Sequence, residues 1–338
     1  MLAGMNCLKS RPVNQPNLSQ RLFPGLVEHS NDKQIPASQD YASRLKTCFD
    51  ARAFKLWLDQ KLNSNAGAMN KQAVELKNLA CVSEVEHQLM LENLNRHNFS
   101  LYRCEGQISP SQVARLGRQF SLQNAEQNLC ADESSISTIS VSNNAEKSRY
   151  IPYTDRALGW HTDGYYNPIG KTINAFILHC SNNSVSGGEN KLLDHELIFG
   201  WLVEKFSCDA FELFAPDVMT VPANRSEDVE LRAETSCPMF YFNQSGGLQM
   251  RYSARQRNIE WKSTQFIRQA LAEIADRCKD LSSVNSVKLV KGMGILSRNA
   301  LHCRTAFNDI PTNPRLLYRV RYYDHIPYSL ENTFHAVA

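Results

Sequence analysis

His161 and Asp163 stand two residues apart in the stretch GWHTDGYYN, Gly159 to Asn167. On a strand or strand end that spacing lets both side chains project from one face. Two ligands do not make a metal site, and the chain supplies a third candidate in His302, where GMGILSRNALHCRTAFND brings a glycine turn and a strand into the histidine. His161, Asp163 and His302 together form a 2-His-1-carboxylate face. Such a face leaves three positions of an octahedral metal open, as non-haem Fe(II) oxygenases require. A 2-oxo acid can chelate through two of them and O2 can take the third. Zinc would accept the same three ligands with a water. Beyond His302, PRLLYRVRYYD sets Arg315, Arg319 and Arg321 at even spacing along a strand, so all three can face one way. Arginines so arranged call for anions, and a dicarboxylate cosubstrate is a natural partner. A simple zinc hydrolase has no need of them, which favours iron.

The other histidines read differently. His29, His87, His97, His325 and His335 lie in polar or terminal contexts and suit the surface. His179, in FILHC, alternates with apolar neighbours and suits the core, while His195 follows Asp194 where a helix cap is expected. Tyr165 and Tyr166 directly follow Asp163, which puts them near the open metal positions. They can act as packed walls or hold a cation over a ring face. Arg251, Arg255 and Arg257, beside a glycine turn in GGLQMRYSARQRNIEW, are candidates to reach a substrate carboxylate or sulfonate, Arg251 foremost.

The elements that must carry these residues can be read along the chain. Residues 1–40 are rich in Asn, Pro, Ser and Gln without a period, and suggest an extended or partly disordered arm. Residues 41–97 turn helical: Leu45, Cys48, Phe49, Phe54, Trp57, Leu58 and Leu62 fall at three- and four-residue steps, and a second helix is expected from about Lys71 to Asn95 through Val74, Val82, Val85 and Leu89. NFSLYRCEG reads as a strand. Ser109, Pro110 and Gln112 then form a capping box for a helix with Val113, Leu116 and Phe120 on one face. From Tyr150 short β-type runs dominate, among them TINAFILHC, MFYF, LQMRYS, SVKLV, GILS and LLYRVRYY. DHELIFGWLVEKF and STQFIRQALAEIADRC read as helices between them, within an insert at about 194–280. Many short strands with a helical insert indicate a mainly β barrel or sandwich, not alternating βαβ units.

Composition sets outer bounds. The 338 residues include 37 basic and 34 acidic ones, a net charge of +3, and 42% are hydrophobic, enough for a sizeable core. No dense Lys/Arg run favours a nucleic-acid partner, and no stretch approaches the roughly 18 apolar residues of a membrane span. Neither a glycine-rich nucleotide loop nor an internal repeat is present. The ten cysteines form no C-x-x-C pair, which suits reduced thiols in a cytoplasmic protein, and the N-terminus lacks the apolar core of a secretory signal.

With these residues in view the sequence resembles the TauD/TfdA-type family of Fe(II)- and 2-oxoglutarate-dependent dioxygenases. The matching text is YIPYTDRALGWHTDGYY, FILHCSNNSVSGGENKLLD and LHCRTAFNDIPTNPRLLYRVRYYD, with FSLYRCEGQISPSQVARLGRQF similar to the segment that opens the family's barrel. The resemblance runs from about Asn98 to Asp324 and implies a double-stranded β-helix, or jelly roll, over 98–330 with helices outside it. It implies His161, Asp163 and His302 as iron ligands, Arg315 against the distal carboxylate of 2-oxoglutarate, and Arg319 against a second carboxylate or an anionic substrate. Where the family often carries a hydroxyl after Gly-Gly-Asp, this chain has Gly187-Gly188-Glu189-Asn190, and the Asn190 amide can donate in its place. The N-terminal zinc module of the γ-butyrobetaine branch has no counterpart in Cys/His spacing here.

The expected activity is hydroxylation of a small, anionic or zwitterionic metabolite, with Fe(II) as metal and 2-oxoglutarate and O2 as cosubstrates, 2-oxoglutarate being decarboxylated to succinate. Asp163 favours hydroxylation over halogenation, for which a small residue would open a halide position. Rival readings are a non-catalytic jelly roll binding metal or a small acid, and a zinc hydrolase using the same triad. The partner expected is a small-molecule substrate, neither nucleic acid nor membrane. Oligomeric state, a homo-oligomer included, is left open.

Overall fold

The computed structural model describes residues 17–24, 26, 41–66, 72–127, 135–144, 147–226, 229–255, 259–310 and 312–328. Two sheets carry the architecture. The larger has six strands in the order Val74–Leu76, Phe99–Cys104, Met293–Ser297, Ala175–Asn182, Leu316–Tyr322 and Ser137–Ile139. Its first pair is parallel and the rest are antiparallel. The smaller has four antiparallel strands, Asn285–Val287, Asn190–Leu193, Leu301–Arg304 and Leu158–His161. Neighbours far apart in sequence alternate in both sheets, the mark of a jelly roll.

Strand alternation sorts the side chains. In Ala175–Asn182, Phe176 and Cys180 turn inward with Leu101, Leu192, Ile295 and Leu317, forming the packed layer between the sheets. Ala175 and Ile177 turn outward with Tyr102, Leu296 and Val320, and are covered by Met90, Leu94, Val113, Leu116 and Phe120 from two helices. Those helices begin with full capping boxes, Ser83/Glu86 for Glu84–His97 and Ser109/Gln112 for Pro110–Gln119. The expected Lys71–Asn95 helix divides accordingly. Val74–Leu76 joins the six-stranded sheet, and Ser83 starts a new helix. That helix buries Met90 and Leu94 and leaves Val85 and Leu89 to solvent, so the valine and leucine spacing marked the outer face.

The largest apolar cluster lies beside the barrel. Trp57 and Leu58 of Ala51–Ala66 pack with Phe199 and Leu202 of His195–Phe206, Phe211, Phe214 and Phe240, and Ile267 and Ile274 of Gln265–Arg277. Besides its helices the insert holds, among the described residues, seven short strands, among them the Phe240–Phe242/Leu248–Met250 pair. Most of the expected arm, 1–40, lies outside the described residues. Its described part forms a helix, Leu18–Leu22, capped by Asn17, with Leu22 and Phe23 fully buried in this cluster. A buried ion cluster ties the layers: Lys61 Nζ lies 2.8 Å from Asp194 and 2.5 Å from Glu196. Asn98 adds a 2.8 Å hydrogen bond to Asp194, which also caps the insert helix. Among the described residues no helix is long and apolar enough to cross a membrane.

Candidate metal centre

The four-stranded sheet brings the histidines together. His302 faces His161 directly across the Leu301–Arg304/Leu158–His161 ladder, with ring centroids 4.3 Å apart. Asp163 lies just past the strand end. One ligand atom from each of His161, Asp163 and His302 falls within 4.8 Å of the others. The two imidazoles are held alike. His161 Nδ1 donates to the carbonyl of Gly159 and His302 Nδ1 to that of Ala300, each at 2.9 Å. A carbonyl only accepts, so both rings carry a proton on Nδ1, which turns Nε2 toward the site as the ligand atom. Burial, reinforced by His161, lowers the His302 pKa to about 3, so the ring stays neutral and ready to ligate.

Asp163 is buried, which by itself raises a carboxyl pKa, but Arg319, the His161 contact and Arg321 outweigh burial and hold it well below the usual carboxylate range. Its Oδ1 lies 3.4 Å from Arg319 Nη1, 3.7 Å from His161 Nε2 and 4.0 Å from Arg321 Nη1. Oδ2 is buried and has no hydrogen-bond partner. Two imidazole nitrogens and an ionised carboxylate with an orphaned oxygen form a donor set that fits a divalent metal.

The backbone around Asp163 is clamped by Asn299, a residue the sequence reading passed over. Asn299 accepts from the Asp163 N–H at 2.8 Å and donates to the carbonyls of Asp163 at 3.0 Å and Ile173 at 2.8 Å. It sits at φ +56°, a left-handed conformation that asparagine tolerates, and this turn preference just before His302 was its one sequence signal. The following loop is fixed by arginines. Arg251, the side chain expected against substrate, donates to the carbonyls of Tyr165 and Asn167 and so holds the loop backbone, with Nη1 buried and unpartnered. Arg321 pairs with Glu126 and donates to the Tyr166 hydroxyl at 3.0 Å. Glu126 also accepts from Asn167 at 2.7 Å. Tyr165 and Tyr166 meet edge to face 5.2 Å apart, Tyr165 within the insert's cluster. From the insert, the Tyr252 carbonyl accepts from the Thr162 N–H at 3.0 Å, the Tyr252 N–H donates to the Thr162 hydroxyl at 3.1 Å, and Ser253 bridges to His161. Arg257 lies outside the described residues.

The arginine strand behaves as its alternation requires. Leu317 points into the layer between the sheets, and Arg319 and Arg321 on the same face reach Asp163. Arg315 lies farther along, 4.9 Å from the Phe307 ring centroid and against the Gly187–Gly188 turn. Both glycines have positive φ. A Cβ at Gly187 would stand 2.2 Å from the Ala306 carbonyl oxygen, so only glycine lets the turn close here. Burial lowers the Arg315 pKa to about 10, and among the described residues no carboxylate lies at ion-pair distance from its guanidinium. Asn190, two residues beyond that turn, has its amide Nδ2 buried and unpartnered. A buried guanidinium without a carboxylate partner and a buried amide nitrogen without an acceptor fit the carboxylate of a small acid.

A jelly roll with a buried 2-His-1-carboxylate face and an arginine strand beside it defines the mononuclear non-haem iron oxygenase class. Residues 61–321 match the family model described as taurine catabolism dioxygenase TauD, TfdA family, and the chain belongs to that family. It is 30% identical over 177 residues to a uridine-5'-phosphate dioxygenase from Streptomyces sp, a match covering 49% of this chain and 62%, less than two thirds, of that protein. Among solved structures it resembles the non-haem iron oxygenase OrfP with Fe, succinate and (3S)-hydroxy-L-Arg, with a TM-score of 0.54, 15% identity, and 72% of this chain and 82% of that one covered. It also resembles an asparagine oxygenase with Fe(II), 3-hydroxyasparagine and succinate, with a TM-score of 0.51, 11% identity, and coverage of 81% and 92%. At such identities the likeness speaks for the fold. OrfP has also been crystallised with Fe and 2-oxoglutarate, and the donor set described above fits that pair.

Proposed function

We propose that this chain is an Fe(II)- and 2-oxoglutarate-dependent dioxygenase that hydroxylates a small anionic or zwitterionic metabolite. The observation that carries the reading is the triad: two imidazoles fixed with Nε2 free, and an ionised carboxylate with one buried oxygen unpartnered. Bound there, ferrous iron and 2-oxoglutarate supply the oxidant from O2, with succinate and CO2 as coproducts. His161, Asp163 and His302 would hold the metal. Arg315 and Asn190 would hold the distal carboxylate of the cosubstrate: the Arg315 guanidinium is buried with no carboxylate at ion-pair distance among the described residues, and the Asn190 amide nitrogen is buried without a partner. The paired strands and the clamped loop hold these groups in position before anything binds, so little reorganisation is required.

The substrate side is built from Tyr165, Tyr166 and Arg319. Glu126 neutralises Arg321, whereas Arg319 keeps 12% of its side chain exposed beside Asp163. A cation placed there supports a substrate carrying a carboxylate, sulfonate or phosphate. The Tyr166 ring, held through its hydroxyl by Arg321, supports an aromatic wall beside that group.

Anaerobic addition of Fe(II) and 2-oxoglutarate should produce the visible charge-transfer band of the chelate. Admitting O2 should give slow succinate formation, stimulated by the correct member of a metabolite panel. His161→Ala should lose the metal and the band. A protein that shows neither band nor succinate, and whose His161→Ala variant keeps its metal, would end this reading.

A further inference from the structure

Arg304 lies two residues beyond His302, so both side chains share one face of the strand. It faces Asn190 directly across the ladder. Its guanidinium stands 4.8 Å from the Phe307 ring centroid, and that of Arg315 stands 4.9 Å from the same ring. Both arginines are buried, at 6% and 4% exposure, and among the described residues neither has a carboxylate at ion-pair distance. Arg304 Nη2 donates to the carbonyls of Thr154, at 3.0 Å, and Arg156. Its Nε, like the Asn190 amide Nδ2, is buried without a partner. Two buried guanidiniums against one ring, neither with a carboxylate partner among the described residues, fit an anion between or beside them.

We propose that Arg304 is a second cationic anchor for the distal carboxylate of the 2-oxo acid cosubstrate, so that two guanidiniums and an amide read this group where Arg315 alone was expected. This rests on the oxygenase reading above and deepens it. Arg304 ties that pocket to the loop before the His161 strand through the Thr154 and Arg156 carbonyls.

The test uses Mn(II)-loaded protein, which does not turn over, and calorimetric titration with 2-oxoglutarate and with 2-oxobutyrate. The second acid has the same chelating head and no distal carboxylate. Wild type should prefer 2-oxoglutarate. Arg304→Gln should weaken 2-oxoglutarate by about tenfold or more, the scale of a lost charge-assisted hydrogen bond, and leave 2-oxobutyrate within about twofold. Thermal melting reports whether the variant folds. If it does not, Arg304→Lys, which keeps the charge and loses the fork, should show a selective loss of about threefold or more. Equal weakening of both acids would show that Arg304 acts only through the loop carbonyls, and unchanged binding of both would show no role; either result overturns the assignment and leaves the oxygenase reading standing. A wild-type protein that binds neither acid, or does not discriminate between them, overturns the oxygenase reading and this inference with it.

Discussion

Replacing Asn299 by alanine removes three hydrogen bonds from the only side chain seen to clamp the Asp163 backbone on both its N–H and its C=O among the described residues. Asn299 is 3% exposed, so the Asp163 N–H, its carbonyl and the Ile173 carbonyl would be left in a dry site. An orphaned buried polar group costs about 1–3 kcal/mol, and even with partial rewetting the three sum to about 3 kcal/mol or more. Alanine at φ +56° adds about 1 kcal/mol of backbone strain. That total is a large share of the roughly 5–15 kcal/mol that holds a domain folded. The effect on function is separable. With its backbone released, Asp163 no longer presents its carboxylate in register with His161 and His302, and metal affinity should fall about 10- to 100-fold, the scale for residues that orient a ligand. Asn299→Gly, which accepts the positive φ, should recover the strain and part of the melting temperature but none of the metal affinity. The assay is competition for Mn(II) against a calibrated chelator, paired with urea denaturation of the metal-free variants. If both variants lose stability and bind metal as wild type does, Asn299 only supports the fold and the reasoning fails.

Arg315→Ala should raise the 2-oxoglutarate concentration needed for half-saturation of the charge-transfer band by about tenfold or more, since a buried guanidinium is lost; an unchanged titration would remove Arg315 from the pocket. Lys61→Met leaves Asp194 and Glu196 buried without their cation and should cost about 3–5 kcal/mol in urea denaturation; a loss under about 1 kcal/mol would show that the cluster relaxes or takes up protons at little cost. Burial lowers the pKa of His179, and that of His97, to about 4 from 6.5. Between those values the unfolded chain binds protons that the folded chain refuses, so this stability is whole above pH 6.5 and drains away as pH falls toward 4. Thermal midpoints measured across that window should fall with acid, and His179→Gln should flatten the slope; a slope identical to wild type would mean His179 does not contribute.

Much of this protein is decided locally, and local decisions are legible in a sequence. The Ser109/Gln112 box starts a helix because its bonds lie within four residues, and Phe176, Cys180 and Leu317 face inward because a strand alternates. His161 and Asp163 could be paired by spacing, and Arg315, Arg319 and Arg321 shared a face for the same reason. The outward stripe of Glu84–His97 misled because Val85 and Leu89 are apolar yet face solvent, a choice made by the sheet that Met90 and Leu94 cover. That His302 sits opposite His161, that Asn299 grips Asp163 across more than a hundred residues, and that Arg304 and Arg315 share one phenylalanine ring were decided only by the tertiary structure. The physical reason is one of range. Capping, alternation and ligand chemistry act between near neighbours in the chain, whereas strand register and the fate of a buried donor depend on which distant segment arrives beside it.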